Sequence, residues 1–381
     1  MIPTIILLAS LAGALVFSAL TVLAALRYLA EQPPELLDQE PVSILKPLSG
    51  LDADLESNLR TFFEQDYPAF EILFAVREPD DPAAGVVEKL RQEYSNVPSR
   101  LLITGEPPYP NAKVFSLDRM LHTASYNLLV MSDSDIRVDS TMLRTIAAEF
   151  HDPKLGVATC PYRAIAGRSF WSRLEAIGMN TDFLAGILVA RMLEGMRFAV
   201  GPTVAARRDV LESIGGFERL KDYLAEDFVM GKFAAERGHG VSLSSYVVEH
   251  HIGGSGLAGP DFRENAAHRI RWTRSTRRSR PAGYLGQLFT MPVPLALLVT
   301  VWNPLWWPVL PVTLAIRGLV AWTVAERVLR VRLNWLLLPI EDIAGFCFWI
   351  AGFFGNTIVW RGRRYRLEAD GRFRLISSSL V

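Results

Sequence analysis

The chain has 381 residues with 40 basic and 40 acidic side chains, so its formal net charge is zero and the whole-chain charge suggests no nucleic-acid partner. Half of the residues are hydrophobic, a high share for a soluble domain. Its two cysteines, Cys160 and Cys347, are too few and too far apart for a disulfide framework or a cysteine metal centre.

From Ile2 to Leu26 there is no charge, and about twenty such residues cross a bilayer as a helix. A cleaved signal peptide is the competing reading. The start Met1-Ile2-Pro3-Thr4 lacks a basic region, however, and the apolar run exceeds a signal-peptide core, so residues 1–30 read as a retained transmembrane anchor.

Between about Pro41 and Gly283, strand-like and helix-like segments alternate, the signature of an α/β domain with a mainly parallel sheet. Strands are expected over Val42–Leu45, Glu71–Val76, Arg100–Thr104 and Leu128–Met131. Helices are expected over Asp54–Phe63 and Ala83–Tyr94, the second capped by Asp81. Two acidic turns, Asp80-Asp81 and Asp133-Ser134-Asp135, then stand at strand carboxyl ends, where open α/β sheets bind ligands. Acidic residues also cap helices in such turns. Two carboxylates one residue apart can equally hold Mg²⁺ or Mn²⁺ and, through it, the diphosphate of a nucleotide sugar.

The stretch from Phe170 to Phe198 is apolar enough for core helices or for an interfacial helix pair that admits a lipid. Gly201 to Phe217 reads as a strand, a helix and a glycine-rich turn holding the Asp227 loop. His250 and His251 are adjacent on a strand and point to opposite faces, so they read as structural, or with one of them near the acceptor, rather than as a metal pair.

A second apolar region runs from Tyr284 to Trp360, with segments Met291–Trp307, Val309–Val324 and Leu336–Val359, broken by prolines from Pro292 to Pro339. Arginines cluster before it (Arg269, Arg271, Arg274, Arg277, Arg278 and Arg280) and after it (Arg361, Arg363, Arg364 and Arg366). By the positive-inside rule both flanks, and the hydrophilic middle, are cytosolic. An even number of crossings is then required where three segments are counted. The start of the last one, with Pro339, Glu341 and Asp342, is the expected interfacial piece. Four regions result: a 1–30 anchor, a 31–283 cytosolic domain, membrane or re-entrant helices over 284–360, and a basic cytosolic tail over 361–381.

The ordered set Ser43-Ile-Leu-Lys-Pro-Leu-Ser-Gly50, Phe62-Phe-Glu-Gln-Asp-Tyr-Pro68, Asp80-Asp81-Pro82, Asp133-Ser-Asp-Ile-Arg137, Ala225-Glu-Asp-Phe228 and Arg269-Ile-Arg-Trp272 resembles ceramide glucosyltransferases and the related bacterial hopanoid-modifying glycosyltransferases. The resemblance implies a GT-A nucleotide-diphospho-sugar transferase fold, a UDP-sugar donor and inverting transfer to a lipid hydroxyl, of ceramide or a hopanoid, at the cytosolic face of a multi-pass membrane protein. Asp80 or Asp81 corresponds to the first family aspartate and Asp133 to the second. Asp227 corresponds to the third, the general base, with Glu226 as the alternative base.

Arg271 and Trp272 match the closing motif, while His268 stands where Gln or Arg is usual. Lys46 and Lys113 resemble family lysines near the nucleotide. Asp135 replaces the glycine of the ceramide enzymes and restores a two-carboxylate ligand set for a divalent metal, with Asp133 as its partner. Glucose is the expected sugar by the ceramide resemblance and N-acetylglucosamine by the hopanoid one. A processive polysaccharide synthase and a non-catalytic membrane scaffold are the competing classes.

Overall fold

The computed structural model describes residues 2–52, 54–253, 260–360 and 362–377. The chain forms two compact units: a sheet unit of residues 33–167 and 196–256, and a helical unit of residues 1–32, 168–195 and 257–381. The division differs from the expected 31–283 domain. Apolar helices at 170–194 and the Phe262–Ser279 helix pack with the terminal helices instead of with the sheet.

In the sheet unit the strands are β1 Val42–Pro47, β2 Phe70–Val76, β3 Ser99–Ile103, β4 Leu128–Ser132, β5 Ile136–Arg137, β6 Leu155–Thr159, β7 Tyr162–Ala166, β8 Thr203–Arg207, β9 Gly240–Leu243 and β10 Val248–Ile252. The main sheet has the order β3-β2-β1-β4-β8-β6-β9. β1 to β4 run parallel, and β8 is antiparallel to both β4 and β6. Every residue of β2 and β4 is buried, as near-continuous apolar strands covered on both faces must be. Leu45, Leu73, Leu117, Met131, Val204 and Phe217 share one core cluster on this sheet. A smaller sheet, β5-β10-β7, stands apart from it.

Caps set the helix starts. Asp81 Oδ1 accepts from Ala83 N at 2.9 Å, as expected, and Pro82 fills the first helical position.

In the helical unit, Leu11 and Ala14 of the Ile2–Ala30 helix pack against Leu295, Ala296 and Val299. Among the described residues three helices are long and apolar enough to cross a membrane, Pro3–Ala30, Phe170–Glu194 and Val309–Val328. Pro281–Thr290 and Pro292–Trp302 qualify only as a pair bent by 66°. Phe170–Glu194, for which the sequence allows core or interfacial helices, continues through a π-turn, Met179–Phe183, as 25 residues.

Two parts of the carboxyl-terminal expectation change. The Leu338–Gly352 helix has 15 residues, which at 1.5 Å each give about 22 Å, short of the roughly 30 Å hydrocarbon core. Residues beyond it are not an open tail but an antiparallel sheet of β11 Thr357–Trp360, β12 Arg363–Leu367 and β13 Phe373–Ser377. Alternation explains this: Tyr365 and Leu367 are buried on one face while Arg364 and Arg366 are exposed on the other. Arg361 and residues 378–381 of the expected tail lie outside the described residues.

Candidate active site

β4 delivers the acidic turn. After Ser132 the chain leaves the sheet, and Asp133 N donates to Pro202 O at 2.9 Å, tying the turn to the segment that precedes β8. Ser134 Oγ bonds Asp52, and Asn58 Nδ2 donates to the Ser134 carbonyl at 3.4 Å. Asp135 opens β5. Because β5 pairs with β10 in the register His250 with Ile136, the His250 ring reaches back, and its Nε2 lies 3.0 Å from Asp135 Oδ2.

The Glu226–Glu236 helix brings the second acidic pair. Gly231 carries no side chain where this helix crosses residues 198–199; a Cβ there would sit 2.9 Å from Phe198 Cα. Close approach sets Asp227 beside Gly201, whose N–H donates to Asp227 Oδ2 at 2.7 Å from a φ of +85°. Phe228 N donates to Asp227 Oδ1 at 2.8 Å. Lys113, in the first turn of the Ala112–Thr123 helix capped by Asn111, joins the two acidic groups: its Nζ is 2.7 Å from Asp133 Oδ1 and 2.6 Å from Glu226 Oε1. A small cavity is lined by Lys113, Met131, Asp133, Gly201, Glu226 and Asp227.

Electrostatics separates these carboxyls. Burial and then the Glu226 carboxylate push Asp227 up to about 7, against Lys113 and two backbone N–H groups. Burial also raises Asp133, with Lys113 opposing and Asp135 assisting. Burial would raise Asp135 as well, but the His250 ring, the Lys46 charge and a backbone hydrogen bond together outweigh it and hold the carboxyl at about 2. Lys113 is lowered by burial yet ends well above the ordinary lysine value, because Asp133 and Glu226 favour its charged form. The arrangement pairs one carboxyl poised to exchange a proton near neutrality with one held ionised, a pattern suited to acid–base work.

Lys46 is fully buried: its Nζ lies 3.7 Å from the Phe62 ring centroid and donates to the Asp133 carbonyl, with Ser132 Oγ at 3.4 Å. Burial pushes it down to about 7 against the attraction of Asp133. It therefore supports the acidic turn from beneath. Asp81 accepts from Gly50 N at 3.0 Å, linking the turns after β1 and β2, whereas Asp80 is exposed. His268, Arg271 and Trp272 belong to the helical unit, on the Phe262–Ser279 helix. There His268 Nδ1 lies 2.6 Å from Glu175 Oε1 and its ring 4.9 Å from that of Trp272.

The residues at the acidic turn fit a divalent cation. Asp135 Oδ1 is buried and without a hydrogen-bond partner, as an oxygen kept for a cation would be. No group of three or more His, Cys, Asp or Glu side chains is arranged around one point among the described residues. Such a cage is not needed, since Mg²⁺ commonly takes one or two carboxylates and completes its shell with phosphates and water. His250, which strand alternation alone makes structural, is the neighbour of Asp135 that sequence reasoning missed.

A family model described as "Glycosyl transferase family 21" matches residues 4–373, and the chain belongs to that family. It is 31% identical over 207 residues to ceramide glucosyltransferase 1 of Caenorhabditis elegans, covering 54% of this chain and 44% of that one. To the ceramide glucosyltransferase of Komagataella phaffii it is 34% identical over 141 residues, 36% of this chain and 27% of that one. The chain thus spans less than half the length of these curated relatives. Among solved structures, the mannosyltransferase PcManGT from Pyrobaculum calidifontis, in complex with GDP-Man and Mn²⁺, superposes with a TM-score of 0.55 at 19% identity over 92% of this chain and 97% of that one. That likeness carries the GT-A fold, and the resemblance read in the sequence holds at the level of the family.

Proposed function

We propose that this member of glycosyl transferase family 21 is a membrane-bound inverting enzyme that moves glucose from UDP-glucose to a lipid hydroxyl, with ceramide as acceptor and Asp227 as general base. The observation that carries the reading is the meeting of Asp133, Lys113, Glu226 and Asp227 at the carboxyl end of β4, with Asp227 raised to about 7. The donor sugar and the lipid are those in the names of the relatives.

In this reading the acceptor O–H gives its proton to an Asp227 carboxylate oxygen as the oxygen attacks the sugar's anomeric carbon. The bond from that carbon to the diphosphate oxygen breaks with its electron pair, and UDP leaves. One displacement inverts the centre and needs one base. Lys113 pairs with Asp133 and Glu226 and offsets charge on the carboxylates around the diphosphate, while burial and the Glu226 carboxylate give Asp227 a proton affinity matched to neutral pH. Asp133 and Asp135, with His250 orienting Asp135, are the residues that would hold a divalent cation. When bound, such a cation supplies positive charge to the diphosphate leaving group.

Membrane attachment is supported by the apolar helices, and the arginine clusters on either side of residues 284–360 favour a cytosolic sheet unit. The deciding experiment incubates purified full chain in phosphatidylcholine nanodiscs with UDP-glucose and a short-chain ceramide, and reads the product by mass spectrometry. β-Glucosylceramide with release of UDP is the expected result. No glycolipid and no UDP binding by calorimetry would overturn the reading, and a long polymer would replace it with a synthase.

A further inference from the structure

Beyond the Leu338–Gly352 helix the chain folds into the β11-β12-β13 sheet, whose two faces differ in chemistry. Ile358, Tyr365, Leu367 and Phe373 point inward and are 4% exposed or less, with the Tyr365 and Phe373 rings 5.1 Å apart. The sheet packs on the Phe262–Ser279 helix of the same unit. Strand alternation turns Val359, Arg364, Arg366 and Arg374 to the other face, and all four are exposed.

The strand register concentrates charge on that outer face. Arg366 lies opposite Arg374, and Arg364 opposite Val359. Like charges directly opposite on neighbouring strands destabilise the pair. Glu368, 3.0 Å from Arg374 Nε, answers only one of the two. Residues 362–377 hold five arginines and two acids, so an excess of positive charge remains.

The arginines ahead of the apolar region are used differently. Arg269 pairs with Glu341, Arg274 Nε donates to Phe354 O at 2.9 Å, and Arg277 Nη2 donates to Gly355 O at 2.7 Å. The last two pin residues 353–356, the whole link between the Leu338–Gly352 helix and β11. Arg364 and Arg366, by contrast, make no ion pair and no side-chain hydrogen bond among the described residues. A link of four residues keeps the sheet within about 18 Å of the helix end. Phe354 in that link is 68% exposed, and Val359 and Ile376 are 43% and 51% exposed. Free guanidinium forks interleaved with apolar side chains, held close to apolar helices, match a bilayer surface, which offers phosphate to the first and the acyl boundary to the second.

We propose that the outer face of the β11-β12-β13 sheet docks on a leaflet rich in anionic phospholipid, with Arg364 and Arg366 donating to lipid phosphates and Val359 and Ile376 entering the headgroup boundary. An acidic protein or a nucleic acid would satisfy the arginines but leave the apolar side chains in water. Docking offsets the Arg366–Arg374 repulsion and holds the helical unit to the membrane surface, whatever the sugar or its acceptor. Each arginine adds about fivefold in favour of the anionic surface.

The test follows hydrogen exchange by mass spectrometry over residues 357–377 of the full chain, in nanodiscs of phosphatidylcholine alone and with an equal part of phosphatidylglycerol. Docking selects the closed sheet, so strand opening slows when the anionic lipid is present. Wild type is expected to exchange about tenfold more slowly in the anionic discs, and to lose that difference in molar salt, where the Debye length falls to about 3 Å. Arg364→Gln with Arg366→Gln is expected to bring the two discs within about twofold, whereas Arg364→Lys with Arg366→Lys keeps the charge and most of the difference. Because each variant is compared with itself between discs, a change in the sheet's own stability cancels.

Equal exchange of wild type in the two discs overturns the proposal, as does a slowing that survives in the glutamine variant. Slowing by tRNA or polyglutamate added to phosphatidylcholine discs, with none from phosphatidylglycerol, overturns it in favour of a macromolecular partner. Should the glutamine variant fail to form the sheet, wild type in molar salt decides, and a difference between discs that salt leaves intact counts against docking.

Discussion

In the sheet unit, Lys113, Asp133, Glu226 and Asp227 meet at a strand end beside a cavity, and the neighbouring Asp135 keeps one buried oxygen without a partner. In the helical unit, Arg317 and Asp342 are 2% and 0% exposed, and both oxygens of Asp342 accept from the same guanidinium at 2.7 to 2.9 Å. Asp182 Oδ1 and Thr181 Oγ1 lie at 2.7 and 3.1 Å from Arg317 Nη2, and Arg269 pairs with Glu341, the residue before Asp342. The Arg317–Asp342 pair holds apolar helices in register, because a charge in that setting is tolerable only when matched. At the strand end, the mismatch is the useful property: carboxyls of unequal proton affinity and an oxygen left open to a ligand.

The contrast breaks most sharply at Asp227. Asp227→Asn keeps the shape and the acceptor oxygen for Gly201 N, gives up the acceptor for Phe228 N, and removes the base. It is expected to lower kcat by about 10²–10⁴ at a stability cost of about 1 kcal/mol. Full activity in this variant, with loss in Glu226→Gln, would transfer the base to Glu226.

Asp342→Ala should behave in the opposite way. Stripping one partner from a buried pair is expected to cost about 3–5 kcal/mol of stability, read as a lower unfolding temperature and less folded protein in detergent. Replacing the whole cluster, as Arg317→Met with Asp342→Leu and Asp182→Asn, is expected to recover most of it. If that variant is stable but inactive, the cluster does more than hold helices together.

Removing the metal sharpens the strand-end side of the comparison. Chelation is expected to suppress transfer and Mn²⁺ to restore it. His250→Ala, by releasing Asp135, is expected to raise the half-saturating Mn²⁺ concentration about 10- to 100-fold, the usual effect of losing a group that orients a ligand. An unchanged titration would leave His250 as a strand residue that only happens to touch Asp135.

The pH dependence follows from the sign of the Asp227 shift. Its carboxylate is the competent form, so activity is expected to fall as pH drops through about 7, close to tenfold per unit below that point. An acid limb near pH 4 would show that Asp227 is not the base under turnover conditions.

How much of this is legible in the sequence varies with the range of the interaction. Strands β2 and β4 are nearly continuous apolar runs, and Asp81 caps the helix that follows it, so the crevice and its acidic turns are readable from local pattern. His250 is not. Its nearness to Asp135 depends on a two-residue strand, β5, finding β10 more than a hundred residues later, and nothing local announces that pairing. Lys46 resembles a family lysine near the nucleotide, but its burial shows only in the packing of Phe62 and the Asp133 carbonyl around it. Likewise the arginines of β12 look like a basic tail, because the alternation that makes a strand is masked by the charge of its exposed face.

The smallest expected effect separates two adjacent acids that sequence alone leaves interchangeable. Asp81 caps the Pro82–Glu93 helix and also accepts from Gly50 N, whereas Asp80 is exposed. Asp81→Ala is expected to lose about 1 kcal/mol of stability through the cap, and further activity if the Gly50 turn shapes the nucleotide site. Asp80→Ala is expected to stay within about 0.5 kcal/mol and near wild-type kcat. The reverse ranking in activity would mean that the first family aspartate is Asp80 and that it reaches the nucleotide from solvent, with Asp81 serving the helix alone.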